Sequence, residues 1–191
     1  MAVDERSTVQ PADPAASSGE RADPGAGTAG SDGSDASTGR VRARLAELGL
    51  CLHGPHLPHD PLDAVVVHGG TARTSGQLPR IDGVLTCCGT LGSTVSVEEG
   101  AEAAAVCALN ALSVLESALG TLDRVERVLT VTGYVASAPD FHRQPEVVDG
   151  ASSVLHRVFG EAGRHTRSAI GVAALPRGGA VEIEVTVAVR E

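Results

Sequence analysis

The end of the chain alternates without a break. Val181, Ile183, Val185, Val187 and Val189 are separated by Glu182, Glu184, Thr186 and Ala188. Successive side chains of a β-strand point to opposite faces, so this pattern describes a strand with one face in a core and one turned away from it. A slip of one residue would send all five β-branched side chains to the wrong side, so the register is tightly specified. Such a strand needs neighbours in a sheet and a layer to cover its apolar side.

The covering layer is legible upstream. Ser96 and Glu99 have the spacing of a capping box, in which hydroxyl and carboxylate satisfy the first free N–H groups of a helix. From Val97 to Leu119, the residues Ala101, Ala105, Ala108, Leu112, Leu115 and Leu119 fall on one face, and Gly120 supplies the stop. A second amphipathic run, Val147, Ala151, Val154, Leu155 and Val158, ends before Gly160. A shorter one, Val41, Leu45 and Leu48, is stopped by Gly49. Further strands are expected at Ala64–Val67 and Ala72–Ser75 about a His68-Gly69-Gly70 turn, at Val125–Val135 and at Ser168–Leu175. The order is β-β-α-β-α-β-β, an α+β fold with two helices on one face of a mixed sheet. The other sheet face is expected to carry apolar residues too, and hence to be covered in a homo-oligomer.

Residues 1–39 are built differently. They are rich in Ala, Gly, Ser, Pro and Asp and almost without large apolar side chains. Such a segment cannot bury enough surface to offset its ordering entropy and is expected to be a disordered tail, with the domain over 40–191.

Composition narrows the function. Aromatic residues are 2 % of the chain and Trp is absent, while the formal net charge is −9. Few stacking platforms and a field that repels phosphates argue against nucleic acid as a partner. No uninterrupted apolar run reaches the roughly 18 residues of a membrane span, and Met1–Arg6 has no apolar leader core, so a cytoplasmic domain without a membrane partner is expected. Cys51, Cys87, Cys88 and Cys107 lack zinc-type spacing and are expected as reduced, buried thiols, with Cys87 and Cys88 on opposite faces of a strand. His53, His56 and His59 tempt a metal reading, but Gly54, Pro55 and Pro58 forbid the helix that would align them, and no metal site is expected.

Several segments together resemble the reactive-intermediate deaminase (Rid, or YjgF) family. Thr74-Ser75-Gly76-Gln77-Leu78-Pro79 resembles its "SGQ-P" strand end. Asn110-Ala111-Leu112 followed by Gly120–Val125 resembles its helix-to-strand passage, and Thr166–Pro176 with Val181–Val185 resembles its C-terminal signature. The stretches Gly133–Phe141 and Phe159–His165 are similar to one branch of that family. The resemblance implies a chorismate-mutase-like fold, a homotrimer with clefts between subunits, and hydrolysis of enamines and imines such as 2-aminoacrylate to 2-keto acids and ammonia, with no cofactor. The alternative it leaves is a non-hydrolytic trimer that binds a small metabolite or serves a biosynthetic step. An RNA-cleaving role, once attached to the family, is disfavoured by charge and composition.

The resemblance also assigns residues. Arg167, nine before Pro176, matches the arginine that holds the substrate carboxylate, a task for which a guanidinium is suited by its bidentate donors. Glu182, six after Pro176, matches the glutamate that handles water and protons. Ala169 would offer its backbone N–H to the carboxylate, and Gly76, after Ser75, would let a ligand approach the main chain. Two positions depart from the prototype: Leu62 or a neighbour stands where it has Tyr, and Asp149 where it has Asn at the second helix. An ionised Asp149 would repel an anionic substrate. His165 is a further candidate beside Arg167.

Overall fold

The structure is a computed structural model, and it describes residues 39–56, 58 and 61–190. The expectation of disorder for the N-terminal segment lies, apart from Gly39, outside the described residues, as does His59.

The elements run α1 (Arg40–Glu47), β1 (Val65–His68), β2 (Thr71–Thr74), β3 (Arg80–Ile81), β4 (Val84–Leu85), α2 (Val97–Leu119), β5 (Val125–Ala136), α3 (Gln144–Phe159), β6 (Thr166–Val172) and β7 (Val181–Val189). Five strands form one sheet in the order β1-β2-β7-β5-β6, and β3 and β4 form a separate hairpin. Only β5 and β6 pair in parallel; the other neighbours are antiparallel. The anticipated β-β-α-β-α-β-β order is present, preceded by α1, the short helix expected about Val41, Leu45 and Leu48, and with the β3–β4 hairpin added to it. Two-residue strands carry no periodicity, which is why that hairpin is invisible in the sequence.

Helix α2 begins as its capping box dictates. The Glu99 N–H donates to Ser96 Oγ at 3.2 Å, and the Ser96 N–H donates to Glu99 Oε2 at 2.8 Å. The middle of the helix is buried all round, from Cys107 to Leu115, rather than along one stripe, while Ala101 and Ala105 are only partly covered. Helix α3 packs close: a Cβ on Gly150 would stand 2.7 Å from the Ala101 carbonyl carbon, so only glycine admits this approach of the helices. By length and composition α2 could cross a membrane, but two-thirds of its most apolar window is buried inside this fold, as befits a core helix.

Val181, Ile183, Val185 and Val187 are fully buried beneath the helices, as their alternation requires. Strand β6 starts and ends earlier than its pattern suggests, because parallel pairing with β5 runs from Thr130↔Thr166 to Ala136↔Val172 and the chain then leaves the sheet. The uncovered sheet face is mixed rather than apolar. Its row of Glu184, Thr132 and Ser168 lies beside Arg73, which pairs in register with Thr186 and reaches Glu184 diagonally in an ion pair at 2.9 Å, and Val66 and Ile170 are exposed apolar members of the same face.

The thiols also differ from expectation. Cys107 is buried, Cys87 is intermediate, and Cys51 and Cys88 are exposed; all four are free. Cys87 and Cys88 lie outside the strands, in the segment leading to α2.

Candidate functional site

Strand register separates the two principal candidates. Arg167 pairs with Val131, which pairs with Val185, both fully buried under the helices. Cross-strand partners point to the same face, so Arg167 is on the helix side. Glu182 pairs with Tyr134, which pairs with Ile170, and that row is on the uncovered side. One chain therefore does not bring Arg167 and Glu182 together. Ala169, in the row of Gly133 and Ile183, goes with Arg167.

On the helix side, Arg167 Nη1 donates to Asp149 Oδ1 at 2.7 Å and to Ser152 Oγ at 3.0 Å, both on α3. Asp149 thus faces Arg167, and the pair largely cancels its own charge. With the imidazole proton on Nδ1, His165 donates to the Gly163 carbonyl at 2.7 Å, and Ser152 donates to His165 Nε2 at 3.0 Å. Arg167, Ser152 and His165 line an open cavity of about 460 Å³. Helix-side packing explains why Arg167 is held: its side chain is 23 % exposed, against 65 % for Asp149.

On the other side, Gly76 and Glu182 are fixed to each other by backbone. The Gln77 N–H donates to the Ile183 carbonyl at 2.9 Å and the Ile183 N–H returns to Gln77 at 3.0 Å. The Glu182 side chain then crosses the α-carbon of Gly76. A Cβ there would stand 2.6 Å from the carboxyl carbon and 2.9 Å from Cγ, so glycine is required for space. Burial, and secondarily Glu184, pushes the Glu182 carboxyl above the usual carboxylate range.

Beside Gly76 lies a cavity of about 200 Å³, which Ser75, Gly76, Leu62, His56, Arg80 and Arg177 help to line. Arg80 and Arg177 carry no signal in the sequence beyond their closeness to Gly76 and Pro176. Leu62 does reach this cavity, and it brings no hydroxyl there. A larger cavity, about 590 Å³ between α1, the end of α3 and the start of β5, contains none of the expected residues. Among the described residues no three His, Cys, Asp or Glu side chains converge as metal ligands.

Residues 43–181 match the family described as YjgF/chorismate-mutase-like, putative endoribonuclease. The chain belongs to the YjgF family. It is 43 % identical over 152 residues to Protein TCP17 of Trypanosoma cruzi, covering 79 % of this chain and 95 % of that protein. The crystal structure of Atu1372, a protein with unknown function from Agrobacterium tumefaciens, is 38 % identical with a TM-score of 0.71, over 78 % of this chain and 91 % of that one. A putative endoribonuclease from Shewanella oneidensis MR-1 is 30 % identical with a TM-score of 0.75, over 78 % and 99 %. Its chorismate-mutase-like YjgF fold is therefore established.

In this YjgF-family chain the expected residues fall into two separate clusters. Arg167, Asp149 and Ala169 belong to one, on the edge strand β6 and helix α3. Ser75, Gly76 and Glu182 belong to the other, where β2 ends against β7. An edge strand leaves part of its backbone N–H and C=O groups unpaired by the sheet, so the first cluster lies at an edge of the five-stranded sheet.

Proposed function

We propose that the protein hydrolyses 2-imino acids, and the enamines that tautomerise to them, to 2-keto acids and ammonia. The half-buried Glu182 carboxylate held against the Gly76 backbone carries this reading. Water adds to the carbon of the protonated imine as one of its protons passes to the Glu182 carboxylate, giving a neutral carbinolamine. Glu182 then gives that proton to the amino nitrogen, the C–N bond breaks, and ammonia leaves as the carbinol O–H proton returns to Glu182 and the ketone forms. A carboxyl raised towards neutrality accepts and donates protons more evenly than an ordinary glutamate. No cofactor is needed for this sequence of steps.

Arg167, assisted by the Ala169 N–H, holds the substrate carboxylate. Since one chain keeps Arg167 and Glu182 on opposite sheet faces, the complete site forms between copies, in a homotrimer. A cytoplasmic setting suits a protein with four free thiols. The word endoribonuclease attaches to the family and to the Shewanella relative; a net charge of −9 with one Tyr and two Phe gives RNA little to hold here.

The test is ammonia and keto-acid release from a panel of imines generated in situ by an amino-acid oxidase. Acceleration over buffer that disappears in both Arg167→Ala and Glu182→Gln is the expected result. An absence of acceleration across the panel would overturn the reading and favour a metabolite-binding trimer.

A further inference from the structure

Two guanidiniums stand at the cavity beside Gly76 that the family chemistry does not use. Arg80 comes from the β3–β4 hairpin, and Arg177 from the turn between β6 and β7. Each is carried by backbone tied down elsewhere. The Asn110 amide of α2 donates to the carbonyls of Leu78 and Arg80 at 3.0 and 2.9 Å. The turn of Arg177 is fastened by the Gly89 N–H to the Gly178 carbonyl at 3.0 Å, and a Cβ on Gly179 would meet Leu78 at 2.8 Å.

Arg177 is moreover held at φ 57°, ψ 18°, a left-handed conformation that is unfavourable for a residue with a Cβ. Gly178 and Gly179 follow directly, so a glycine could have taken that place; a long cation stands there instead. His56 lines the same cavity as Arg80 and Arg177, and their charges add to burial in pushing its imidazole down. Among the described residues no carboxylate lies within ion-pair distance of Arg80 or Arg177. Arg167, by contrast, already faces Asp149.

We propose that Arg80 and Arg177 form an anion subsite beside Gly76 that receives a second carboxylate, making dicarboxylic 2-imino and 2-keto acids the preferred ligands. This rests on the deaminase reading for the position of the reacting carbon. Glu182 lies against Gly76, so a ligand whose imine carbon meets Glu182 extends its side chain along the cavity towards the two arginines. Paired guanidiniums take a carboxylate through parallel N–H donors, and a cavity of about 200 Å³ suits a short side chain better than a nucleotide.

Calorimetry with the full chain, using 2-oxoglutarate, 2-oxobutanoate and inorganic phosphate as probes, tests the subsite apart from catalysis. The expected result is 2-oxoglutarate binding about tenfold or more tighter than 2-oxobutanoate, the ratio collapsing towards one in Arg177→Gln and in Arg80→Gln. Arg177→Gly, which relieves the backbone, should lose the preference while its melting temperature holds or rises. Equal affinities in the wild type, a ratio unmoved by the substitutions, or no detectable 2-oxoglutarate binding would overturn the subsite. Phosphate competing as strongly as 2-oxoglutarate would overturn its carboxylate assignment. Turnover is measured in parallel: an intact preference without turnover counts against deamination alone, and turnover without preference against the subsite alone.

Discussion

Arg167 Nη1 meets the Asp149 carboxylate at 2.7 Å, so the arginine proposed to hold the substrate already faces an anion of its own chain. A substrate carboxylate must share the guanidinium with Asp149 or work against it. Asp149→Asn keeps the shape and removes the charge. It should tighten binding of 2-keto acids about three- to tenfold, as expected for one charge at a largely exposed site. Calorimetric titration checks this, and weaker binding would mean that Asp149 serves chiefly to orient Arg167.

Gly76 is needed for room rather than for a special backbone angle. Gly76→Ala places a methyl where the Glu182 side chain lies and must displace it. Turnover of imines should fall about tenfold or more, since small misplacements of a catalytic group are costly. The far-ultraviolet circular dichroism should stay that of the wild type. Unchanged turnover would remove Glu182 from the mechanism.

The raised Glu182 carboxyl has a stability consequence with a definite sign. Its folded-state pKa exceeds the unfolded one, so the native state binds the proton more tightly, and this group favours folding at low pH. That advantage is lost as pH rises from the ordinary carboxylate range through the raised folded value. Glu182→Gln stays neutral throughout. The melting temperature of the variant minus that of the wild type should grow over this window and level off above it. A difference that is flat in pH would contradict the burial of the charge.

Helix α1 is capped from a distance. Gly39 offers no side chain, and the N–H groups of Arg40 and Val41 donate to the two carboxylate oxygens of Asp123, each at 2.8 Å. Asp123→Ala should cost about 1–2 kcal/mol, the worth of a good N-cap, read by denaturant unfolding. Asp123→Asn, which keeps one acceptor, should lose less. Equal losses in both would point to charge rather than capping.

The thiols should divide by exposure. Cys51 and Cys88 should react at once with an aqueous thiol reagent, while Cys107, buried with its thiol pushed well up by desolvation, should react only on unfolding. Fast labelling of Cys107 in the native protein would show that the core opens at α2.

Features set by near neighbours were legible in the sequence. The capping box of Ser96 and Glu99 closes within one turn, and the alternation from Val181 to Val189 assigns faces at once, so α2 and β7 could be drawn residue by residue. The resemblance carried the family, and it named Arg167, Gly76 and Glu182 as candidates. It did not carry their arrangement, because the sheet face of a side chain is known only relative to strand partners far away in the chain. Arg80 and Arg177, 97 positions apart, could not be connected at all.

The sequence by itself determined the order of the longer strands and helices, the covered face of β7 and the start of α2, because each depends on periodicity or on contacts within a few residues. Tertiary structure alone decided that Asp123 caps α1, that Asp149 faces Arg167, and that Arg167 and Glu182 stand on opposite sides of one sheet. Those relations follow from the order in which strands and helices pack, and local chemistry does not specify that order.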